Sequence, residues 1–205
     1  MADFIHRDPT HPEFWNERFR KDFTPWDKGD VPAALQEFVA QSARPLSTLI
    51  PGCGNGYEAA FLAQAEWPVV AIDFSAAAVQ SARATIGAWG HHVQEADFFT
   101  YQPQMPLDLI YERAFFCALP PSRRPEITRR WADLLPAGGL LAGFIYLDDA
   151  PGADQKGPPF TVHPADWQAL MAPYFELIAE AAVADSIPVF AGKECWQIWR
   201  RLANE

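Results

Sequence analysis

Cysteine is scarce in this chain and basic residues are outnumbered, and each shortage excludes a class of function. The three cysteines, Cys53, Cys117 and Cys195, lie far apart, and the five histidines are scattered except for His91-His92. No metal-ligand or redox spacing arises, so free thiols and no metal are expected. With 16 Lys and Arg against 26 Asp and Glu, the formal net charge is -10. That balance argues against a nucleic-acid partner, because phosphate backbones are bound through clustered cations; small-molecule substrates are favoured. The cluster Arg123-Arg124 with Arg129-Arg130 reads as a solvated helix face, since helical spacing spreads those side chains around a surface helix. No apolar stretch approaches the length needed to cross a bilayer, and Met1 to Asp8 lacks the basic-then-apolar layout of a secretory leader. A cytoplasmic protein without a membrane partner is expected. Nothing in the chain sets an oligomeric state.

What is present is enough for a full core: 205 residues, 49% of them hydrophobic, read as a single domain, residues 1-205. Residues 1-42 form a helical cap, with one helix over Asp8 to Lys21, Trp15 and Phe19 lying four apart on one face, and a second over Val31 to Gln41. Residues 43-205 then alternate strand and helix. Strands are expected at 46–50, 69–73, 92–95, 107–111, 140–146, 175–182 and 196–201, with helices at 57–65, 76–88, 123–135 and 165–171. This rhythm predicts an α/β, Rossmann-like, doubly wound, mostly parallel seven-stranded sheet. The turn-rich stretch 147–159 reads as a lid over a site or as an exposed connection.

The most informative feature is the turn Pro51-Gly52-Cys53-Gly54-Asn55-Gly56-Tyr57-Glu58 between the first strand and its helix. Glycine brings bare backbone close to a ligand, and the helix that follows offers unpaired amides. The dinucleotide fingerprint wants its third glycine where this chain has Tyr57, so Gly-x-Gly-x-Gly fits that use less well. Asp73 ends the next apolar run, placed either to accept ribose hydroxyls or to cap the helix near Ser75. Glu95-Ala96-Asp97-Phe98-Phe99 puts a carboxylate and an aromatic where adenine lies in a methyltransferase. Together the three signals read as a site for S-adenosyl-L-methionine, whose product is S-adenosyl-L-homocysteine.

Several ordered motifs resemble the thiopurine methyltransferase superfamily, including its plant-type thiol and halide branch. They are Trp15 with Phe19, Thr24-Pro25-Trp26-Asp27-Lys28-Gly29, the glycine turn, Asp97-Phe98-Phe99-Thr100, Tyr111 to Leu119, Gly157-Pro158-Pro159-Phe160 and Ser186-Ile187-Pro188. The resemblance covers nearly the whole chain. It implies that Trp15, Phe19 and Trp26 help enclose the cofactor, with Phe19 standing where the family has a second Trp. It also implies that Gly52, in one turn with Gly54, lies against the methionine part, that Asp73 holds the ribose, and that Asp97 with the backbone of Phe98 recognises adenine. Arg113 would face cofactor and substrate. Arg113 matches the thiopurine enzymes, whereas Phe115-Phe116-Cys117-Ala118 and Ser186-Ile187-Pro188 lean towards the plant type.

Methyl transfer from a sulfonium requires alignment of the nucleophile, exclusion of water and accommodation of a positive charge. Aromatic faces such as Trp15 and Trp26 suit the cation, though a Trp and a Phe four apart also suit plain packing. A thiolate, selenide or halide needs no dedicated base. Arg113 is therefore either a catalytic cation that favours a thiolate or the partner of Glu112 or of a surface carboxylate. Phe115, Phe116 and Phe160 are candidate walls of the substrate pocket or core fillers. Cys53 and Cys117 are not needed as nucleophiles. A nicotinamide-dependent oxidoreductase and a non-catalytic metabolite-binding module are the alternatives; the glycine spacing and the lack of a Tyr-x-x-x-Lys pair weigh against the first.

Overall fold

The computed structural model of the protein describes residues 3–150 and 152–203; residues 1, 2, 151, 204 and 205 lie outside it, among them Pro151 of the 147–159 stretch. Seven strands form one sheet: β1 (Thr48–Pro51), β2 (Val69–Asp73), β3 (Val93–Glu95), β4 (Leu109–Arg113), β5 (Leu140–Tyr146), β6 (Phe175–Ala182) and β7 (Glu194–Arg201). Their order is β3-β2-β1-β4-β5-β7-β6. The first five run parallel, and β7 is antiparallel to both β5 and β6. Strand order reverses between β1 and β4, which opens a crevice beyond their carboxyl ends.

Helices cover both faces because both faces of the central strands are apolar. Along β4, Leu109 and Tyr111 join one core layer while Ile110 joins the other. The first layer receives Leu35 of α2 (Ala33–Gln41), Leu62 of α3 (Tyr57–Gln64) and Val79 of α4 (Ala76–Ile86). The second receives Ile127 and Trp131 of α5 (Arg124–Leu134) and Trp167 and Met171 of α6 (Pro164–Met171). Gln197, itself buried, accepts hydrogen bonds from the indoles of Trp167 (2.7 Å) and Trp199 (2.9 Å), so two large aromatics enter the core without orphaned donors.

Several boundaries differ from the sequence reading. Helix α1 covers Pro12–Arg20 and starts later than Asp8, with Pro12 in its first turn and His11 capping the Glu13 amide. Strand β4 ends at Arg113, two residues beyond the expected Tyr111, and so carries Arg113 to the sheet edge. The four arginines are not one solvated face. Arg124 is buried and donates to the Thr161 carbonyl, and Arg130 donates to the carbonyl of Tyr101. The 147–159 stretch is tied back by a bridge between Leu147 and Val162 and by Lys193 bonding Asp148.

Candidate active site

The crevice beyond β1 and β4 deepens into a cavity lined by residues between Thr10 and Arg123, including the aromatic pair on α1, the Trp26 segment, the glycine turn, Asp97-Phe98 and Arg113. Its floor begins at Gly52, whose φ of +60° suits a residue without a side chain. A Cβ there would lie 2.8 Å from Cδ2 of Phe115, so the turn and the Phe115 ring can meet only because position 52 is glycine. Gly56, also left-handed, caps α3, and the helix amides face the same crevice.

Asp73 ends β2 at the cavity wall, with 8% of its surface exposed. Its Oδ1 accepts the Ser75 amide (2.9 Å) and its Oδ2 the Gly54 amide (3.3 Å). Burial outweighs these bonds and raises its pKa to about 6. A buried carboxylate in this state has acceptor capacity to spare, and two vicinal hydroxyls would satisfy it. Ser75, not Asp73, caps α4 with its side chain, so the capping role and the cavity role fall to different residues.

Asp97 and Phe98, just beyond β3, which pairs with β2 at Asp73, also line the cavity. Asp97 is exposed, and its Oδ1 accepts the Phe99 amide (2.9 Å). Phe98 is buried and meets the rings of Phe99 and Phe115 at 5.3 and 4.9 Å. Trp15, Phe19 and Trp26 line the cavity as one aromatic cluster, the Trp26 ring standing edge-on to Trp15 (5.3 Å) and Phe19 (6.2 Å). The Trp15 indole is committed to the Pro9 carbonyl (2.8 Å), so it offers the cavity a ring face and no donor. The segment bearing Trp26 is clamped on two sides: Asn55 donates to Asp27, and Lys28 bonds Asp185.

Arg113 reaches the cavity from the end of β4. Its guanidinium lies 4.9 Å from the Phe144 ring centroid and 3.8 Å from Glu58 Oε1, and its Nη1 has no hydrogen-bond partner. The neighbouring carboxylate in sequence, Glu112, points to the other face, where it accepts the amides of Phe115 (3.2 Å) and Phe116 (3.0 Å). Arg113 therefore pairs, loosely, with a buried carboxylate that sequence proximity did not suggest. Burial raises the pKa of Glu58, while Arg113 opposes that rise.

Of the three phenylalanines read as substrate walls, one lines the cavity. Phe115 does; Phe116 turns into the second core layer, 5.7 Å from Trp131 and 5.1 Å from Trp167. Phe160 packs over Gly157 and donates its amide to the Cys117 carbonyl (2.7 Å), outside the residues that line the cavity. The divergence starts at Ala114, whose φ of +59° breaks the strand and sends consecutive side chains to different sides. Cys53 lines the cavity, but burial pushes its thiol well above the ordinary range, so no thiolate is available there. Among the described residues no group of His, Cys, Asp or Glu is arranged to hold a metal ion, and no helix is long and apolar enough to cross a membrane.

The family model for thiopurine S-methyltransferase matches residues 10–201. The chain belongs to that family. Thiocyanate methyltransferase 1 of Arabidopsis thaliana is 30% identical to it over 98% of this chain and 90% of the relative. The thiopurine S-methyltransferase of Shewanella sp. (strain W3-18-1) is 28% identical over 89% of this chain and 93% of its own. The crystal structure of Burkholderia thailandensis 1,6-didemethyltoxoflavin-N1-methyltransferase, with S-adenosylhomocysteine bound, superposes with a TM-score of 0.69 over 98% of this chain and 93% of that one. At 15% identity that likeness is one of fold. As a member of the thiopurine S-methyltransferase family the protein is a methyltransferase, with S-adenosyl-L-methionine as donor. The glycine turn at Gly52 and the Asp73 carboxylate, which has acceptor capacity beyond its bonds to the Gly54 and Ser75 amides, fit an adenosyl donor.

Three cavity residues stand in motifs the sequence reading quoted but were given no role of their own there. Glu58 lies next to the glycine turn, at the second position of α3, where a carboxylate ordinarily signals only a favourable helix start. The roles of Asn55 and Lys28 could not be read locally, because their partners Asp27 and Asp185 are 28 and 157 residues away.

Proposed function

We propose that this methyltransferase delivers its methyl group to a small, soft nucleophile, such as a thiolate, a selenide or a halide ion, and that Arg113 is the catalytic cation that holds the nucleophile's charge. The observation that carries this reading is the Arg113 side chain, which lines the cavity, is largely sealed from bulk solvent and has its nearest carboxylate, Glu58, too distant for a hydrogen bond. An anion settling against the cavity side of the guanidinium would gain a charge-assisted contact, and a thiol bound there would have its pKa lowered.

The donor, when bound, supplies an electrophilic methyl on a sulfonium, and the chain's work is then alignment and exclusion of water. Gly52 and Gly54 lie against its methionine end, Asp73 takes the ribose hydroxyls, and Asp97 with the Phe98 backbone takes adenine. Trp15, Phe19 and Trp26 close over it and favour the positive sulfur by about 0.5–2 kcal/mol. Phe115 walls the acceptor side. A thiolate or halide arrives without a proton, so no base is required. The net charge of -10 favours a small-molecule acceptor over nucleic acid, and the reading is of a cytoplasmic enzyme. Similarity to the thiocyanate methyltransferase supports a small acceptor, and the Arg at position 113 an aromatic thiol.

The test is transfer from labelled donor to a panel of thiopurines, aromatic thiols, hydrosulfide, thiocyanate, iodide and selenite, beside catechol and amine controls. Label is expected in at least one sulfur, selenium or halide product. Label confined to the oxygen or nitrogen controls would overturn the proposal.

A further inference from the structure

Helix α1 carries two of the three aromatic residues that close the cavity, yet it is not covalently close to the sheet that holds Asp73. Its polar side chains bond almost entirely among residues 3–23: Glu17 accepts the amides of Ile5 and His6, Lys21 bonds Glu17, Arg18 bonds the Phe14 carbonyl, and Arg20 bonds Glu13. One exception exists among the described residues. Asn16, 4% exposed and adjacent to Trp15, projects its Oδ1 onto the start of α4.

There it accepts two hydrogen bonds, from Ser75 Oγ (2.8 Å) and from the Ala77 amide (3.0 Å). The Ala77 amide is one of the donors that a helix start leaves without an internal partner. Asn16 thus caps α4 from another helix, beside Ser75, whose Oγ accepts the Ala78 amide (3.1 Å). Ser75 in turn donates its own amide to Asp73 Oδ1 (2.9 Å). The Asn16 amide group is itself held by Glu13 Oε1 (2.7 Å), which fixes which atom faces α4.

We infer that Asn16 is a positioning residue for donor binding: through Ser75 it locks the aromatic wall on α1 to the Asp73 carboxylate, so that ring wall and ribose contact are held in one register. The inference rests on the assignment of Asp73 and of the α1 aromatics to the donor. It assigns Asn16 no contact with either substrate and no part in the acceptor side, where Arg113 and Phe115 stand. Loss of the tether should therefore weaken the donor complex and leave the chemistry of the filled complex alone.

The experiment is calorimetric titration with S-adenosylhomocysteine, paired with steady-state kinetics, on the full chain and its variants. In Asn16→Ala, Kd for the product and KM for the donor are expected to rise about tenfold, the scale of one lost buried hydrogen-bond pair. The turnover number at saturating donor, and KM for the acceptor, should stay within about twofold. Asn16→Asp combined with Glu13→Gln keeps an acceptor oxygen toward Ser75 and Ala77 at a helix start that favours negative charge, lets the Gln amide donate where Asn16 did, and should recover most of the affinity. In a Ser75→Ala background the Asn16→Ala effect should shrink, because the two share one bond. Unchanged donor affinity in Asn16→Ala, or a fall in turnover equal to the loss of affinity, overturns the inference, as does failure of the Asn16→Asp, Glu13→Gln pair to outbind Asn16→Ala. If the unaltered protein itself does not bind S-adenosylhomocysteine, the donor assignment fails instead.

Discussion

Across the floor of the cavity, Arg113 Nη1 stands 3.8 Å from Glu58 Oε1, with 10% and 13% of the two side chains exposed. The pair is close enough for the cation to oppose protonation of Glu58, yet too far apart to satisfy either group by a hydrogen bond. The Arg113 side chain lines the cavity while its Nη1 lies buried behind that surface without a hydrogen-bond partner.

Replacing that guanidinium separates its two effects. Arg113→Ala is expected to lower kcat/KM for a thiol acceptor by about 10²–10³, as for loss of one preorganised charge contact. The pH-rate profile should also move to higher pH, towards the free thiol's own pKa, because no cation remains to favour the thiolate. Iodide, with no proton to lose, should show the fall in rate without the shift. Rates measured across pH for both acceptors check this, and an unmoved thiol profile would count against the role given to Arg113.

The pH dependence of donor binding follows from Asp73. Its pKa is raised to about 6 by burial, so the carboxylate is protonated below that value and loses acceptor capacity for ribose hydroxyls. The Kd for S-adenosylhomocysteine should therefore rise by about tenfold for each pH unit below 6. Stability of the unliganded protein runs the other way. A carboxyl whose folded pKa is raised contributes stability fully below its unfolded pKa and loses it as pH climbs through the folded value. With Asp73 at about 6 and Glu112, also buried, at about 8, thermal unfolding of the unliganded protein should occur at lower temperature as pH goes from about 5 to about 8. Carboxylates held low, such as Glu17 at about 2 beneath Lys21 and two amides, are ionised throughout that window and do not contribute to the slope. A flat or rising melting temperature would be inconsistent with both burials.

Position 52 tolerates no side chain. Gly52→Ala places a Cβ 2.8 Å from the Phe115 ring at a φ of +60°, costing about 1–2 kcal/mol from the backbone alone. The ring must then move into the cavity. Chemical denaturation should register the loss of stability, and titration should show donor binding abolished or weakened by more than about a hundredfold.

The two adjacent phenylalanines should behave differently. Phe116→Ala empties a core site between Trp131 and Trp167 and is expected to cost about 3–5 kcal/mol of stability. Phe115→Ala removes a half-buried cavity wall, so it should raise KM for the acceptor with a smaller effect on stability. Denaturation midpoints and acceptor KM for the pair decide whether the division of labour between them is as the geometry has it.

The parts of this protein that are local were legible in its sequence. The alternation of strand and helix, the glycine turn and the carboxylate ending β2 each depend on residues within a few positions of one another, and each stands where sequence reading put it. What was not legible depends on distant partners or on a single backbone angle. The burial of Arg124 rests on the Thr161 carbonyl 37 residues away. The separation of Phe115 from Phe116 follows from the left-handed Ala114, a conformation that alanine gives no reason to expect. Glu58 meets Arg113 only once α3 and β4 are side by side.

Calorimetric titration of the purified protein with S-adenosylhomocysteine, with NADH as control, tests the central claim most directly. Binding of the former at micromolar Kd or tighter, lost in Gly52→Ala and weakened in Asp73→Ala, with no heat from NADH, is the predicted result. Absence of S-adenosylhomocysteine binding, or binding indifferent to both substitutions, would contradict the placement of the donor in this cavity.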